Sequence, residues 1–285
     1  MQHKTIFGVV ATASVLLLAG CGRTSLTTTH DTYHQDGMVA AVKGHTTANR
    51  VSYKIGDHSS KSTKVRNNTF VIQVPSTTKR QTVKLTATGT HKTVYVAGAK
   101  SLADYQTLQK TFNQSLTGSK LSKADRLKAG ELQKLAATLK KQPTPELAAQ
   151  AGELQKSVQA SMATAKKSVS GQLMPTTTPV NGVSDVVTTK DYHIRMNIQD
   201  GHVMGATMIV PTAGFKQKAT QKKFGTSFAL LANGVGANTK DVMKAFGKET
   251  KKLKNGSTSI DPIYSKGVKF TIGLSPKDIY IFIVK

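Results

Sequence analysis

Apolar and polar side chains alternate along several short runs between residues 38 and 98. The period of two is the spacing of strands with one buried and one solvated face. The clearest runs are RVSYKI (50–55), TFVIQV (69–74), TVKLTAT (82–88) and TVYV (93–96). Breaks rich in Gly, Asn, Pro and Ser separate them, as turns do in antiparallel sheets. The pattern predicts a small antiparallel β-sandwich over 38–98.

Over residues 99–170 the apolar spacing changes to three and four, which is the period of a helix with one buried stripe. Three helix starts are predicted at Ser101, Ser122 and Thr144. Each combines a hydroxyl that can accept from free N–H groups with an acidic residue in the first turn. Short links favour antiparallel neighbours, so we expect a self-packed helical spacer. A coiled coil that binds a partner is the alternative.

A Pro- and Thr-rich stretch over 171–182 predicts a linker between the spacer and a last domain. In that domain, over 183–285, alternation on both sides of Asp200-Gly201 predicts a hairpin, because this dipeptide suits a two-residue turn. Two amphipathic helices follow, beginning near Ala219 and Asn238, and two strands come last. The expected fold class is multidomain α+β, with a small antiparallel β-sandwich, a helical spacer and a C-terminal α+β domain built on an antiparallel sheet.

The first twenty residues have the parts of a secretory signal. Lys4 precedes an apolar run of about a dozen residues, too short to span a membrane comfortably. The sequence Leu18-Ala19-Gly20-Cys21 follows, and Cys21 is the only cysteine of the chain. This stretch resembles the lipobox of bacterial lipoproteins. The resemblance implies cleavage between Gly20 and Cys21 and a diacylglycerol anchor, with acyl chains such as palmitate, on the Cys21 thiol. An ordinary signal peptide with an incidental cysteine is the alternative.

Two further regions follow this signal peptide of residues 1–20. The polar, Thr-rich stretch over 21–37 offers little to bury and predicts a flexible tether. The segment 38–98, most visibly NTFVIQVPSTTKRQTVKLTAT (68–88), resembles the immunoglobulin-like modules of bacterial surface proteins. Such modules serve as spacers or adhesive units, so the resemblance implies a fold and no particular activity.

The charge of the chain indicates which kinds of partner it can bind. The formal net charge is +25, and only six of the basic residues are Arg. Lys is a hydrated point charge without the planar fork with which Arg contacts phosphates and bases, and Trp is absent, so nucleic acid is not an expected partner. A coat of Lys suits an anionic wall polymer or membrane surface. Charge that only keeps the chain soluble is the alternative.

Two dense lysine runs are the candidates for contact with a polyanion. They consist of Lys216, Lys218, Lys222 and Lys223 before and within one predicted helix, and of Lys248, Lys251, Lys252 and Lys254 at the end of the next. In a small α+β domain we expect the two runs to be able to share one side. The alternative is that they are solvated helix ends.

The sequence carries no catalytic signature. It has no G-x-S-x-G elbow, Cys21 is assigned to the anchor, and three of the four glutamates lie in the helical spacer. His193 and His202 flank the predicted hairpin and could face each other across it, although two histidines do not define a metal site. We therefore expect no enzyme, no metal site and no cofactor.

These observations predict a lipoprotein anchored at the extracellular face of the cell membrane of a Gram-positive bacterium. Its expected role is that of a non-catalytic binding or structural module of the cell envelope. The expected partners are the membrane, through the lipid, and an anionic wall polymer or an envelope protein. The alternative is an envelope enzyme or solute-capture protein with its site in the C-terminal domain, which requires a pocket lined by converging polar groups.

Overall fold

The structure is a computed structural model, and it describes residues 24–215, 217–254 and 260–285, with the side chains of 253 and 254 excepted. The strands are β1 (Leu26–Thr28), β2 (Thr32–Tyr33), β3 (Val39–Thr46), β4 (Arg50–Ile55), β5 (Lys61–Lys64), β6 (Thr69–Pro75), β7 (Gln81–Ala87), β8 (Thr90–Val96), β9 (Ala103–Asp104), β10 (Gly182–Thr188), β11 (His193–Gln199), β12 (His202–Pro211), β13 (Ile263–Ser265), β14 (Val268–Leu274) and β15 (Asp278–Val284). The helices are α1 (Tyr105–Gly118), α2 (Lys123–Lys141), α3 (Pro145–Ser168), α4 (Thr212–Phe215), α5 (Lys218–Gly234) and α6 (Thr239–Lys254). The fold is α+β and contains two hydrophobic cores.

The first core lies inside an N-terminal β-sandwich. One sheet has the strand order β1-β3-β6 and the other β2-β8-β7-β4-β5. The short β2 runs parallel to β8, and the other strand pairs are antiparallel. Alternate side chains from both sheets, among them Val42, Phe70 and Val94, fill the space between them. The expected sandwich is confirmed, and the four runs predicted from alternation coincide with β4, β6, β7 and β8.

The sandwich begins earlier than the sequence pattern indicated. The prediction of a flexible tether over 21–37 is wrong from Leu26 onward, because β1 pairs with β3 and β2 pairs with β8. Leu26 and Tyr33 are buried in the core, and the Tyr33 hydroxyl donates to Lys43 O at 2.7 Å. These two buried side chains attach the otherwise polar, Thr-rich stretch to the core of the sandwich. Residues 21–23 lie outside the described part of the chain.

Helix α1 belongs to the C-terminal core, so the prediction of a separate helical spacer over 99–170 is wrong for this helix. Leu108, Phe112 and Leu116 are buried in the same cluster as the C-terminal sheet. The predicted start at Ser101 is also wrong, because β9 pairs with β12 just before the helix. Asp104 is the true cap, and its Oδ1 accepts from Thr107 N at 2.8 Å.

Helices α2 and α3 form an arm that is packed on itself. They begin where predicted, capped by Ser122 and Thr144. Ser161 Oγ donates to Asp125 Oδ1 at 2.8 Å and links the two helices. In contrast to α1, helix α2 has no buried side chain, and Ala165 is the one buried residue within α3. Only this arm matches the expected spacer.

The Pro- and Thr-rich stretch predicted as a linker over 171–182 is bound to α1. Met174 is buried, its N–H donates to Asn113 Oδ1 and its carbonyl accepts from Asn113 Nδ2, both at 2.9 Å. The Tyr105 hydroxyl donates to Pro175 O at 2.9 Å, and burial raises the pKa of Tyr105 to about 12, so the donor stays protonated. The stretch connects α3 to β10 within one core and separates no domains.

A seven-stranded sheet forms the centre of the C-terminal domain. Its main order is β10-β11-β12-β15-β14-β13, all antiparallel, and β9 also pairs with β12. The predicted hairpin is confirmed, with Asp200 and Gly201 both at positive φ (52° and 77°) in its turn. Side chains of α1, α5 and α6 share one buried cluster with the sheet. None of the helices that the structure describes is long and apolar enough to cross a membrane.

Candidate functional site

No helix among the described residues covers one face of the C-terminal sheet, and we name this the open face. Side chains alternate across the strands, so the residues that do not point to the helices form cross-strand rows. Arg195, Thr207, Phe282 and Thr271 make one such row across β11, β12, β15 and β14. Asp185 of β10 extends the row at its outer end. Aromatic and charged groups thus line this face, whereas aliphatic groups dominate the other.

The β-sandwich is docked on part of the open face through a polar joint. Asn197 is fully buried, and its Nδ2 donates to Met38 O at 2.8 Å and to Ser76 O at 3.4 Å. Gln35 Nε2 donates to Met204 O at 2.9 Å. These bonds run from side chains on one domain to carbonyl groups on the other. They fix the register of the two domains, because each carbonyl has a defined position in its own backbone.

A groove of about 890 Å³ remains between the sandwich and the rest of the open face. The turn over 35–39 and Gln73 form its wall on the sandwich side. Its floor is the open face, which contributes Val183, Arg195, Tyr264, Lys269, Thr271 and Phe282. Phe282 is half-buried and stacks on Tyr280, with ring centroids 6.0 Å apart and an interplanar angle of 9°. The groove therefore has an aromatic side chain in its floor and is a channel open to solvent.

The charge of the groove is positive. Its lining includes the cations Arg195, Lys269 and Lys285 against a single carboxylate, Asp36. Arg195 Nε and one terminal nitrogen donate to the two oxygens of Asp185 at 2.8 and 3.0 Å. This pairing lowers the pKa of Asp185 and raises that of Arg195, so both groups stay ionised. The fork is held in place, and its other terminal nitrogen makes no hydrogen bond to the described residues.

The structure brings the two predicted lysine runs to one end of the α5–α6 pair. A connection of four residues joins the helices, and the Phe246 ring lies 5.6 Å from that of Phe224 and 5.2 Å from that of Phe228. The first half of α5 therefore lies beside the second half of α6. We name the described lysines there the lysine end, which consists of Lys218, Lys222, Lys223, Lys248, Lys251 and Lys252.

Two members of the lysine end are engaged in ion pairs. Lys223 Nζ lies 2.7 Å from Asp191 Oδ2, and Lys252 Nζ lies 2.8 Å from both Glu249 Oε1 and Asp261 Oδ2. The hydrogen bond from Lys223, with a second from Thr220, lowers the pKa of Asp191. Both pairs fasten loops onto the helices, so these two lysines have structural partners.

The other four lysines of the lysine end are exposed. They are Lys218, Lys222, Lys248 and Lys251, and within the described ranges no carboxylate forms an ion pair with them. Lys216 lies outside the described residues, as do Gly20 and Cys21, and the side chain of Lys254 is not described. The prediction that the two runs can share one side of the domain agrees with this arrangement.

The remaining candidate groups do not assemble a reactive centre. His193 lies opposite Ile209 and His202 opposite Gln199, so the expectation that the two histidines face each other is wrong. The hairpin turn lies between residues 199 and 202. His202 is therefore next to the turn, whereas His193 is at the far end of its strand. Among the described residues no three His, Cys, Asp or Glu side chains are grouped as metal ligands. Ser227 Oγ donates to Tyr192 OH at 2.6 Å, and both residues are buried in the core.

Comparison with known proteins adds no family to these observations. No protein-family model matches the chain, and no curated protein matches it. The site is therefore interpreted from its own residues.

Sequence patterns indicated the lysine end but missed the groove. The groove needs the sandwich to dock on the sheet, and that joint depends on single side chains such as Asn197 and Gln35. One signal was present in DIYIFIV (278–284), where two aromatic residues alternate with isoleucines. Such a strand is apolar on both faces, which indicates that each face is covered by other parts of the protein or by a ligand.

Proposed function

We propose that this protein is a lipid-anchored, non-catalytic binding module of the cell envelope, which contacts an anionic surface through the lysine end. The anchor is the thiol of Cys21, at the extracellular face of the cell membrane. The observation that carries the proposal is the convergence of two lysine runs, distant in sequence, on one end of the α5–α6 pair. The surface is a phosphate polyanion, either anionic lipid headgroups or a wall polymer.

The charges at the start of α5 support this proposal because they are unfavourable for the helix itself. The N-terminus of a helix carries a partial positive charge and favours acidic residues. Helix α5 has no acidic residue in its first turn and no side-chain cap, and it places Lys218 in that turn and Lys222 one turn later. Four exposed cations at one end of the helix pair give a concentrated positive potential, which an anionic surface would neutralise.

The position of β1 limits the distance between the anchor and the folded chain. Leu26, where the sandwich begins, is five positions after Cys21, so the two residues are at most about 17 Å apart when the chain is fully extended. Thr90 Oγ1 donates to Thr24 O at 2.9 Å and holds the chain beside the β7–β8 turn. A lipidated Cys21 would keep the sandwich close to the bilayer, and two acyl chains on it would give stable attachment.

The proposal is tested with the chain from residue 21 carrying Cys21→Ser, so that no lipid contributes to binding. Lys218→Glu/Lys222→Glu is compared with Lys140→Glu/Lys141→Glu, an equal charge change at the tip of the α2–α3 arm. Binding to phosphatidylglycerol vesicles and to poly(glycerol phosphate) is measured at several salt concentrations. We expect the first variant to lose about tenfold or more in affinity and the control to lose far less, with steep weakening by salt.

Equal losses in the two variants would show that only net charge matters and would contradict a defined contact surface. Binding of the protein to the vesicles alone would identify lipid headgroups as the phosphate surface that it contacts. Binding to the polymer alone would identify a wall polymer. In the intact lipoprotein, Cys21→Ser should move the chain from the detergent phase to the aqueous phase. Unchanged partitioning would remove the anchor from the proposal.

A further inference from the structure

We propose that the groove between the sandwich and the open face is a binding site for an extended anionic glycan. This site is separate from the lysine end and goes beyond the proposed function. The inference rests on three features of the groove: an aromatic floor, cations on both sides of that floor, and an open channel shape.

The floor suits a sugar ring. Phe282 lies in the middle of its cross-strand row, with Thr207 of β12 on one side and Thr271 of β14 on the other. Its ring is parallel to that of Tyr280, and its Cε2 packs against the position that a Gly273 side chain would occupy. A pyranose ring packs its C–H face on an aromatic side chain, while the Thr271 hydroxyl, which lines the groove, can bond to a sugar hydroxyl. Pockets of this composition, apolar with a few placed polar groups, are typical of ligand sites.

The cations lie where they can contact acidic groups on either side of that ring. Arg195 is on β11 and Lys269 on β14, three strand spacings apart, which corresponds to about 14 Å across the sheet. Asp36 is the one carboxylate in the lining, and Asp185 outside it already pairs with Arg195, so the remaining positive charge comes mainly from Lys269 and Lys285. A chain that follows the groove would place one sugar on Phe282 and its flanking carboxylates or phosphates near Arg195 and Lys269. Charge complementarity therefore favours an anionic chain over a neutral one.

A peptide or an acyl chain fits the groove less well. An extended peptide binds a sheet through unpaired backbone groups at an edge, but Phe282 in the middle of the floor is on β15, which has a strand on each side. An acyl chain gains free energy by leaving water, yet this groove is open along its length and bordered by charges. A glycan needs neither a free edge nor an enclosed cavity.

The glycan site and the lysine end lie on different faces of the C-terminal domain. Helices α5 and α6 pack on the covered face of the sheet, and the groove lies on the other. Variants of one site should therefore leave the other unchanged. For this reason, failure of the glycan proposal and failure of the polyanion proposal can be told apart.

The test uses the same chain from residue 21 and isothermal titration with a glycan of defined structure. The probes are a tetrasaccharide of alternating N-acetylglucosamine and N-acetylmuramic acid, its neutral methyl ester, and a phosphate-bearing sugar oligomer of equal length. The variants are Phe282→Leu, which removes the ring but keeps an apolar side chain, and Lys269→Gln. Lys277→Gln, an exposed lysine in the β14–β15 turn, is the control.

We expect binding of at least one acidic probe, with about tenfold loss for Phe282→Leu and Lys269→Gln and no loss for Lys277→Gln. The acidic probe that binds more tightly identifies carboxylate or phosphate as the recognised group. Equal binding of the neutral ester would overturn the role of charge. Binding that survives Phe282→Leu in a chain with normal thermal unfolding, or binding of none of the probes, would overturn the site itself.

Discussion

The two faces of the C-terminal sheet are built from the same strands but carry different chemistry. On the covered face, Ile281, Ile283 and Phe270 are fully buried under the helices. On the open face, the residues between them, such as Phe282, are only half-buried and have charged neighbours. The strands β14 and β15 thus alternate between core and groove at every residue. The covered face thus carries the hydrophobic core, and the open face carries the groove in which we propose glycan binding.

The covered face is where the largest loss of stability is expected. Phe228 of α5 is fully buried and its ring lies 5.2 to 5.9 Å from those of Phe224, Phe246 and Phe270. Phe228→Ala should lower the free energy of unfolding by about 3–5 kcal/mol, because it leaves a cavity among packed rings. Urea unfolding followed by circular dichroism measures the change. A loss below about 1 kcal/mol would show that the helices are not essential to this core.

The joint between the domains should be weaker than the core but specific. Asn197→Leu keeps similar volume but removes the donor that bonds Met38 O and Ser76 O. We expect a loss of about 1–3 kcal/mol, because two buried carbonyl groups lose a partner. Scattering in solution should show a larger radius of gyration as the sandwich separates from the open face. An unchanged radius with full stability would show that the joint does not hold the domains.

A pH-dependent effect should appear where the covered face meets the β10–β11 connection. Hydrogen bonds from Lys223 and Thr220 lower the pKa of Asp191 in the folded chain. A carboxyl whose folded pKa is lowered stabilises the fold above its unfolded pKa, and this stabilisation is lost as pH falls through the folded value. Asp191→Asn should therefore cost about 1 kcal/mol at pH 7, and the difference from the native chain should shrink below about pH 4.

The control for this titration is Asp57→Asn, since Asp57 is exposed and forms no ion pair with the described residues. Its stability difference should be small at every pH. If Asp191→Asn differed from the native chain by the same amount at pH 3 and pH 7, the carboxylate would not be the stabilising group.

Much of the fold followed from local pattern. Alternation located β4, β6, β7 and β8, and cap residues located the starts of α2 and α3, because these signals lie within a few neighbouring residues. The role of α1 did not follow, although its apolar spacing resembles that of α3. Aromatic side chains such as Phe112 place α1 in the core, whereas α3 carries smaller residues and stays in the arm. Which helix the sheet buries is decided by tertiary packing.

The two candidate sites also differ in whether local sequence could predict them. The lysine end was foreseeable, because charged runs and helix spacing can be read along the chain. The groove was not, because Arg195, Phe282 and Gln73 come from distant strands and meet only after the sandwich docks. The same reason explains the error over 21–37, where a short strand depends on partners in β3 and β8. Contacts between distant segments are the part that local pattern does not report.

The division between the two faces can be tested most directly with one substitution on each. Phe270 and Phe282 lie on neighbouring strands and point to opposite faces, so Phe270→Leu and Phe282→Leu are matched changes. Thermal unfolding and titration with the acidic tetrasaccharide are measured for both. Phe270→Leu should lower the midpoint of unfolding by about 2–6 °C and leave the dissociation constant within about twofold. Phe282→Leu should raise the dissociation constant about tenfold and leave the midpoint within about 2 °C. Equal losses of stability with unchanged binding would contradict the account.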